Sequence, residues 1–170
     1  NSYLAFSQTC GRGRNNNEWQ SLKGNLFLST IFRPFKNKNY WYQLSIIIGF
    51  SIIEVLVNLG IKRNKIQLKW PNDVLVEDKK ISGVLLETFD NFIVAGIGLN
   101  IKNNPQNDKK WDTTKINDHI KNDHSIQFIA NILLKKIFKN YNIWQNQGFI
   151  FFSNKINKNI KNINKKIIVK

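Results

Sequence analysis

Apolar residues recur along this chain with two periods. A period of two marks strands. In "NLFLSTIF", Leu26, Leu28 and Thr30 fall on one face and Phe27, Ser29 and Ile31 on the other, and Arg33-Pro34 ends the run. "YLAFS", near the N-terminus, is a short strand. "KIQLKW", "DVLVE" and "KISGVLLETF" follow one another closely, with Pro71-Asn72-Asp73 and Asp78-Lys79 at the turns between them. Asp90-Asn91 turns the chain into "FIVAGIGLNI". Short strands joined by tight turns predict an antiparallel meander.

A longer period marks helices. Tyr42 to Leu59 has helical length and spacing, and Gly60 is a suitable C-terminal stop. "IQFIANILLKKIFKNYNIW" predicts a second helix ending near Gly148, with a shorter one after it. Between them, Asn103 to Asp123 reads as polar, irregular loop. The fold class is therefore α+β: a mostly antiparallel sheet with helices packed on it. The most apolar stretch, Leu44 to Gly60, carries Ser45, Gly49, Ser51, Glu54 and Asn58, which favours a buried helix over a membrane span.

Composition adds limits. The 170 residues suit one domain, or one domain and the start of another. The net charge of +15 raises a polyanion partner. The lysines, however, are scattered among asparagine and isoleucine, as AT-rich coding produces, and form no basic stripe interleaved with aromatics. Cys10 is the one cysteine, so no internal disulfide forms and a reducing, cytoplasmic setting is expected. There is no methionine, and the first residues already read as a strand, so the numbering is expected to begin inside a longer protein.

Three stretches can carry chemistry. The first runs from Gln8 to Trp19 and contains Gly11-Arg12-Gly13-Arg14. Arginine offers a fork of donors that fits phosphate or carboxylate, and two of them can aim at one anion. The glycines let backbone amides approach a ligand, and Trp19 can cover an apolar body. The second is "KWPNDVLVEDKKISG". Asp73 can hold Mg²⁺, Lys80 can point at a phosphate, and Gly83 clears room against the sheet. The third is "AGIGLN". Gly96 and Gly98 within a strand imply close approach to the backbone, and Asn100 can read a nucleobase edge. The two histidines and Cys10 make no metal-binding cluster. A solvated basic loop, an ordinary hairpin and a packed bulge are the plainer readings of the three stretches.

Taken in order, the three stretches resemble the motifs of biotin–protein ligases. "QTCGRGRNNNEW" resembles that family's biotin and adenylate loop, "KWPNDVLVEDKKISGVLLE" its most recognisable segment, and "GIGLN" its third. The resemblance implies a class II synthetase-like core over 1–155, N-terminally incomplete. It also implies a linker over 156–170 that ends in "KIIVK", the first strand of a C-terminal β-barrel domain. It implies ATP-dependent activation of biotin to biotinyl-5′-AMP, then transfer to a lysine of a biotin carboxyl carrier protein, such as the biotin domain of acetyl-CoA carboxylase.

By the same resemblance, Gln8, Gly11, Arg12, Gly13 and Arg14 surround biotin and the α-phosphate. Gly83 and Gly96 line the biotin slot, Trp19 packs on the adenylate, Asp73 serves the Mg·ATP phosphates and Asn100 faces adenine. Lys80 contacts both the carboxylate and the α-phosphate, and with Arg12 and Arg14 makes up the expected catalytic set. A homodimer is admitted, and no DNA-binding domain is seen in the sequence. The rivals are a lipoate or octanoate ligase or transferase of similar fold and a basic nucleic-acid-binding module.

Overall fold

The computed structural model describes residues 1–105 and 112–161. Its strands are β1 (Ser2–Ala5), β2 (Leu26–Phe32), β3 (Ile66–Lys69), β4 (Asp73–Val76), β5 (Lys79–Thr88) and β6 (Ile93–Leu99). They form one sheet in the order β1-β2-β6-β5-β4-β3, and every neighbouring pair is antiparallel. The helices are α1 (Gln43–Asn58), α2 (Ile126–Gln147) and α3 (Ile150–Asn157). The α+β class expected from the sequence is the one observed.

Strand alternation decides which face is covered. Along β6, Ile93, Ala95, Ile97 and Leu99 are buried toward the helices, while Val94, Gly96 and Gly98 turn to the other face. Register carries this division to the neighbours. Leu26, Leu28, Thr30 and Phe32 of β2 pair with the core-facing residues of β6, and Phe27, Ser29 and Ile31 with the others. The face distant from the helices is where the glycines lie.

Helix α1 supplies most of the cover. Twelve of its residues are buried, Leu44, Ile47, Ile48, Ile52 and Leu56 among them. Lys38–Asn58 is long and apolar enough to cross a bilayer by length and composition, yet 72% of its apolar window is buried inside the protein. The chain leaves the helix through Gly60 at φ +104, a left-handed backbone that favours glycine. Helix α2 starts where the Ser125 side chain accepts a hydrogen bond from the Phe128 amide, at 3.1 Å. It packs on α1 through Ile129, Leu133, Ile137 and Trp144. Buried Asn140 donates to Ser51 Oγ at 2.9 Å and Glu54 Oε2 at 2.8 Å, which fixes the helix register.

The segment expected to be linker from 156 onward packs on the core as far as it is described. Ile156 is buried, and Asn159 to Lys161 pair with the outer edge of β3, with Leu68 N donating to Asn159 O at 2.7 Å. The "KIIVK" strand lies outside the described residues.

Candidate functional site

Strand register builds one continuous row across the open face. Ala5 pairs with Phe27, Phe27 with Gly98, Gly98 with Gly83, Gly83 with Asp73, and Asp73 with Lys69. Six strands thus contribute one residue each to a track that is apolar at one end, bare in the middle and charged at the other. Such a track suits a ligand that has an apolar body and an anionic head.

Trp19 lies over the bare middle. A Cβ on Gly98 would come within 2.3 Å of the indole Cε2, and one on Gly83 within 3.1 Å of Cζ3. The two glycines therefore leave the space that the ring fills. The indole Nε1 is buried and has no hydrogen-bond partner among the described residues. An unpaired donor of this kind is available to a ligand acceptor.

A hairpin holds Trp19 there. Trp19 N donates to Gly11 O at 2.9 Å, Arg12 bridges Glu18, and Gly13 N donates to Asn17 O at 2.7 Å. At the tip Asn15 and Asn16 take φ 54 and 58, which asparagine tolerates. The stretch read as a loop is a narrow hairpin, because its asparagines suit the left-handed tip and its backbone groups pair across it. The glycines serve that hairpin. A Cβ on Gly11 would meet the Trp19 carbonyl at 2.3 Å, and the Gly13 amide is used within the turn rather than offered to a ligand.

Lys80 reaches the row through a bulge. In a regular strand residues 80 and 83 face opposite sides. Here β4 and β5 slip register next to Val74 and Leu75, so that Asp73 faces Gly83 while Leu75 faces Lys80. Lys80 therefore shares the face of Gly83. Its Nζ is 2.9 Å from Asp73 Oδ1 and 5.4 Å from the Trp19 ring centroid. The two charged side chains are only 18% and 10% exposed, and among the described residues Asp73 Oδ1 has no hydrogen-bond partner beyond this ionic contact. Burial holds the Lys69 pKa below its ordinary value; Asp73 opposes that shift, and Lys80 and Lys161 add to it. Two lysines against one aspartate leave this end with a net positive charge, which attracts an anion.

Two cavities meet beneath the hairpin and Trp19. One, of about 280 Å³, is lined by Ala5, Gln8, Arg12, Phe27, Gly96 and Gly98 among others. The second, of about 450 Å³, is lined by Glu18, Lys69, Trp70, Asp73 and Asn100 among others. Trp19, Arg14, Asn72 and Lys80 line both and form the junction.

The fold brings together nearly all the residues expected at the site, with differences of detail. The two arginines do not aim at one anion. Arg12 Nη2 lies 2.9 Å from Glu87 Oε1 at the outer end of the smaller cavity. Arg14 Nη1 donates to Asn72 Oδ1 at 3.3 Å, near the junction. The first arginine belongs to the arm paired with Glu18 and the second opens the tip, so the hairpin separates them. Gln8 is exposed at the rim. Asn100 is buried, donates to Thr114 O at 3.0 Å and accepts from Asn25 Nδ2 at 3.5 Å. Asn72, Lys69 and Glu87 line the two cavities without having been singled out for ligand contact in the sequence, whereas Gly98 was marked there, with Gly96, as a point of close approach. Nothing local marks Glu87.

Asp73 fits a magnesium ion whose other ligands come from phosphate. Its buried carboxylate, with Oδ1 held by the Lys80 ion pair, supplies the hard oxygen donor that magnesium takes. Among the described residues no group of three or more His, Cys, Asp or Glu side chains could hold a metal without such help.

The model of the biotin/lipoate A/B protein ligase family matches residues 3–104. The chain belongs to this family. It is 38% identical over 104 residues to the bifunctional ligase/repressor BirA of Escherichia coli, covering 58% of this chain and 32% of that protein. It is 33% identical over 106 residues to the biotin–[acetyl-CoA-carboxylase] ligase of Mycobacterium tuberculosis, covering 61% of this chain and 40% of that one. The fold superposes on biotin protein ligase from Aquifex aeolicus, solved in complex with biotin and ATP, with TM-score 0.83 and 31% identity, over 95% of this chain and 69% of that one. The chain thus spans about a third of the length of the Escherichia coli relative.

Proposed function

We propose that this chain is the catalytic core of a biotin–protein ligase, which joins biotin to a lysine of a carrier domain in two steps. One observation carries the reading: a track that runs from apolar to bare to charged, divided by an indole, with Lys80 at the division. The ring system and chain of biotin suit the smaller cavity, and ATP the larger. Their reacting ends then meet at the junction.

In the first step the biotin carboxylate attacks the α-phosphorus of ATP. A new P–O bond forms, the bond to the β-phosphate oxygen breaks, and pyrophosphate leaves with the electron pair. Lys80, held by Asp73 and partly desolvated, stabilises the charge that grows on the α-phosphate oxygens. Arg14 is close enough to the junction to add a second cation. Asp73 would hold magnesium, which supplies charge neutralisation to the phosphates. Lys69 adds charge at the far end of the track. In the second step a neutral lysine amine of the carrier attacks the acyl carbon; the C–O bond breaks, AMP leaves, and one proton is released. A mixed anhydride hydrolyses in water, so the hairpin and Trp19 protect it by covering it.

The acyl acceptor in this proposal is a biotin carboxyl carrier domain, the acetyl-CoA carboxylase domain first. The similarity to a biotin–[acetyl-CoA-carboxylase] ligase and to a biotin protein ligase solved with biotin and ATP favours biotin over lipoate. The test is exchange of labelled pyrophosphate into ATP on the intact protein, with biotin and with lipoate. Biotin-dependent exchange is expected. Exchange driven by lipoate and not by biotin would overturn the substrate, and no exchange with either would overturn the activation step.

A further inference from the structure

Glu87 has no role in the chemistry just described, yet it faces the site. It shares a face of β5 with Gly83 and Leu85 and lines the smaller cavity at the end away from Lys80. Both of its carboxylate oxygens meet the Arg12 guanidinium, with Nη2 2.9 Å from Oε1 and 3.0 Å from Oε2. Both residues line that cavity. With side chains 67% and 37% exposed, it adds little to the stability of the fold. Its leverage comes from what Arg12 is joined to. Arg12 bridges Glu18 across the hairpin, the next residue is Trp19, and Trp19 N is bonded to Gly11 O. Holding Arg12 therefore holds both arms, and with them the indole that divides the site. Side-chain links from the hairpin to the rest of the chain include Arg12 to Glu87 on β5 and Arg14 to Asn72 in the turn before β4. The first lies on the lining of the smaller cavity, at the end away from Lys80.

We propose that Glu87 is a positioning residue that acts through Arg12. It latches the hairpin over the smaller cavity and sets how long the bound acid, and its activated form, stay inside. The proposal rests on the reading of that cavity as the biotin pocket. A latch lengthens residence and leaves the rate of entry nearly unchanged, so its signature is in the dissociation rate. It also assigns Arg12 a carboxylate partner from the protein, and that distinguishes it from a role as a ligand for substrate.

The experiment is a chase of radiolabelled biotin from the intact protein without ATP, for wild type, Glu87→Gln, and the exchanged pair Arg12→Glu with Glu87→Arg. Glu87→Gln is nearly isosteric, and melting curves confirm that each variant is folded. Release is expected to quicken about three- to fivefold in Glu87→Gln, the upper range for an exposed ion pair. The exchanged pair should return to within about twofold of wild type, because the link is remade with its charges reversed. Added salt should hasten release more from wild type than from Glu87→Gln. Wild-type release from Glu87→Gln would overturn the latch. So would fast release from the exchanged pair, which would make Arg12 a direct ligand of the substrate. If wild type itself fails to retain biotin, the proposed function fails instead.

Discussion

The two faces of the sheet use the same strands for opposite ends. On the helical face, Ile93, Ala95, Ile97 and Leu99 of β6 are closed in by α1 and α2. On the other, Val94, Gly96 and Gly98 leave a floor with little side chain, covered by one hairpin and one indole. The first face is filled by apolar side chains from many elements. The second is held by backbone pairs, polar links such as Arg12–Glu87 and Arg14–Asn72, and a buried Lys80–Asp73 contact. Stability should therefore reside on one face and chemistry on the other, and substitutions on each should separate the two.

The largest effect is expected on the helical face. Ile52→Ala empties a fully buried position in α1 and should cost about 2–5 kcal/mol, read as a shift in denaturant midpoint. Where the variant remains folded, biotin affinity should change little. A loss of affinity as large as the loss of stability would break the division.

On the open face, Lys80→Ala should slow formation of the adenylate by about 10²–10³, as expected when a cation that acts on the transition state is lost. It should also lower stability at neutral pH, because Asp73 is left buried without its cation. Adding Asp73→Asn should recover the stability and not the rate. Stopped-flow measurement of the first half-reaction, with melting curves alongside, reads both. An unchanged rate in Lys80→Ala would remove it from the chemistry.

Gly98→Ala and Gly96→Ala sharpen the comparison within one strand. At Gly98 the new methyl meets the Trp19 ring at 2.3 Å, so the indole must move, at about 1–3 kcal/mol. At Gly96 the nearest neighbours are 3.8 and 3.9 Å away, so the free protein accepts it, and the methyl intrudes only on a ligand. Tryptophan fluorescence of the free proteins should change in the first variant alone, and biotin affinity should fall in both. The same spectral change in both would show that Trp19 does not rest on Gly98.

The smallest effect is expected at the turn between β4 and β5. The Lys65 hydrogen bond and charge hold the Glu77 carboxyl below its ordinary value of 4.5. A lowered carboxyl pKa stabilises the fold above the unfolded value, and the contribution fades as pH falls through the folded one. Glu77→Gln should leave activity and neutral-pH stability almost unchanged. Its one signature should be the absence of that part of the acid-induced loss in a pH series of melts.

Much of the fold was legible because it depends on short-range rules. Alternation in "NLFLSTIF" gave the two faces of β2, Gly60 and Gly148 ended their helices, and turn residues separated β3, β4 and β5. The polar stretch after Asn103 was harder. It reads as irregular, yet Thr114 and Ile116 are buried and Thr113 bridges Lys80. Isolated bridges leave no periodic trace. The hairpin was read only as a loop for a related reason: three asparagines in a row show no alternation, and the backbone pairs that close the turn leave no mark in composition.

By itself the sequence determined which residues carry charge or lack a side chain, in what order they come, and which strand face Gly96 and Gly98 share. Those properties are local, since they follow from residue type and a two-residue period. Only the tertiary structure decided that Ala5, Phe27, Gly98, Gly83, Asp73 and Lys69 form one row, because each link depends on the register between separate strands. It alone turned Lys80 to that row through a bulge, and it alone sent Arg12 to Glu87 and Arg14 to Asn72. Glu87 lies 75 residues from Arg12. No local rule relates positions so far apart, and packing and hydrogen-bond register bring them together.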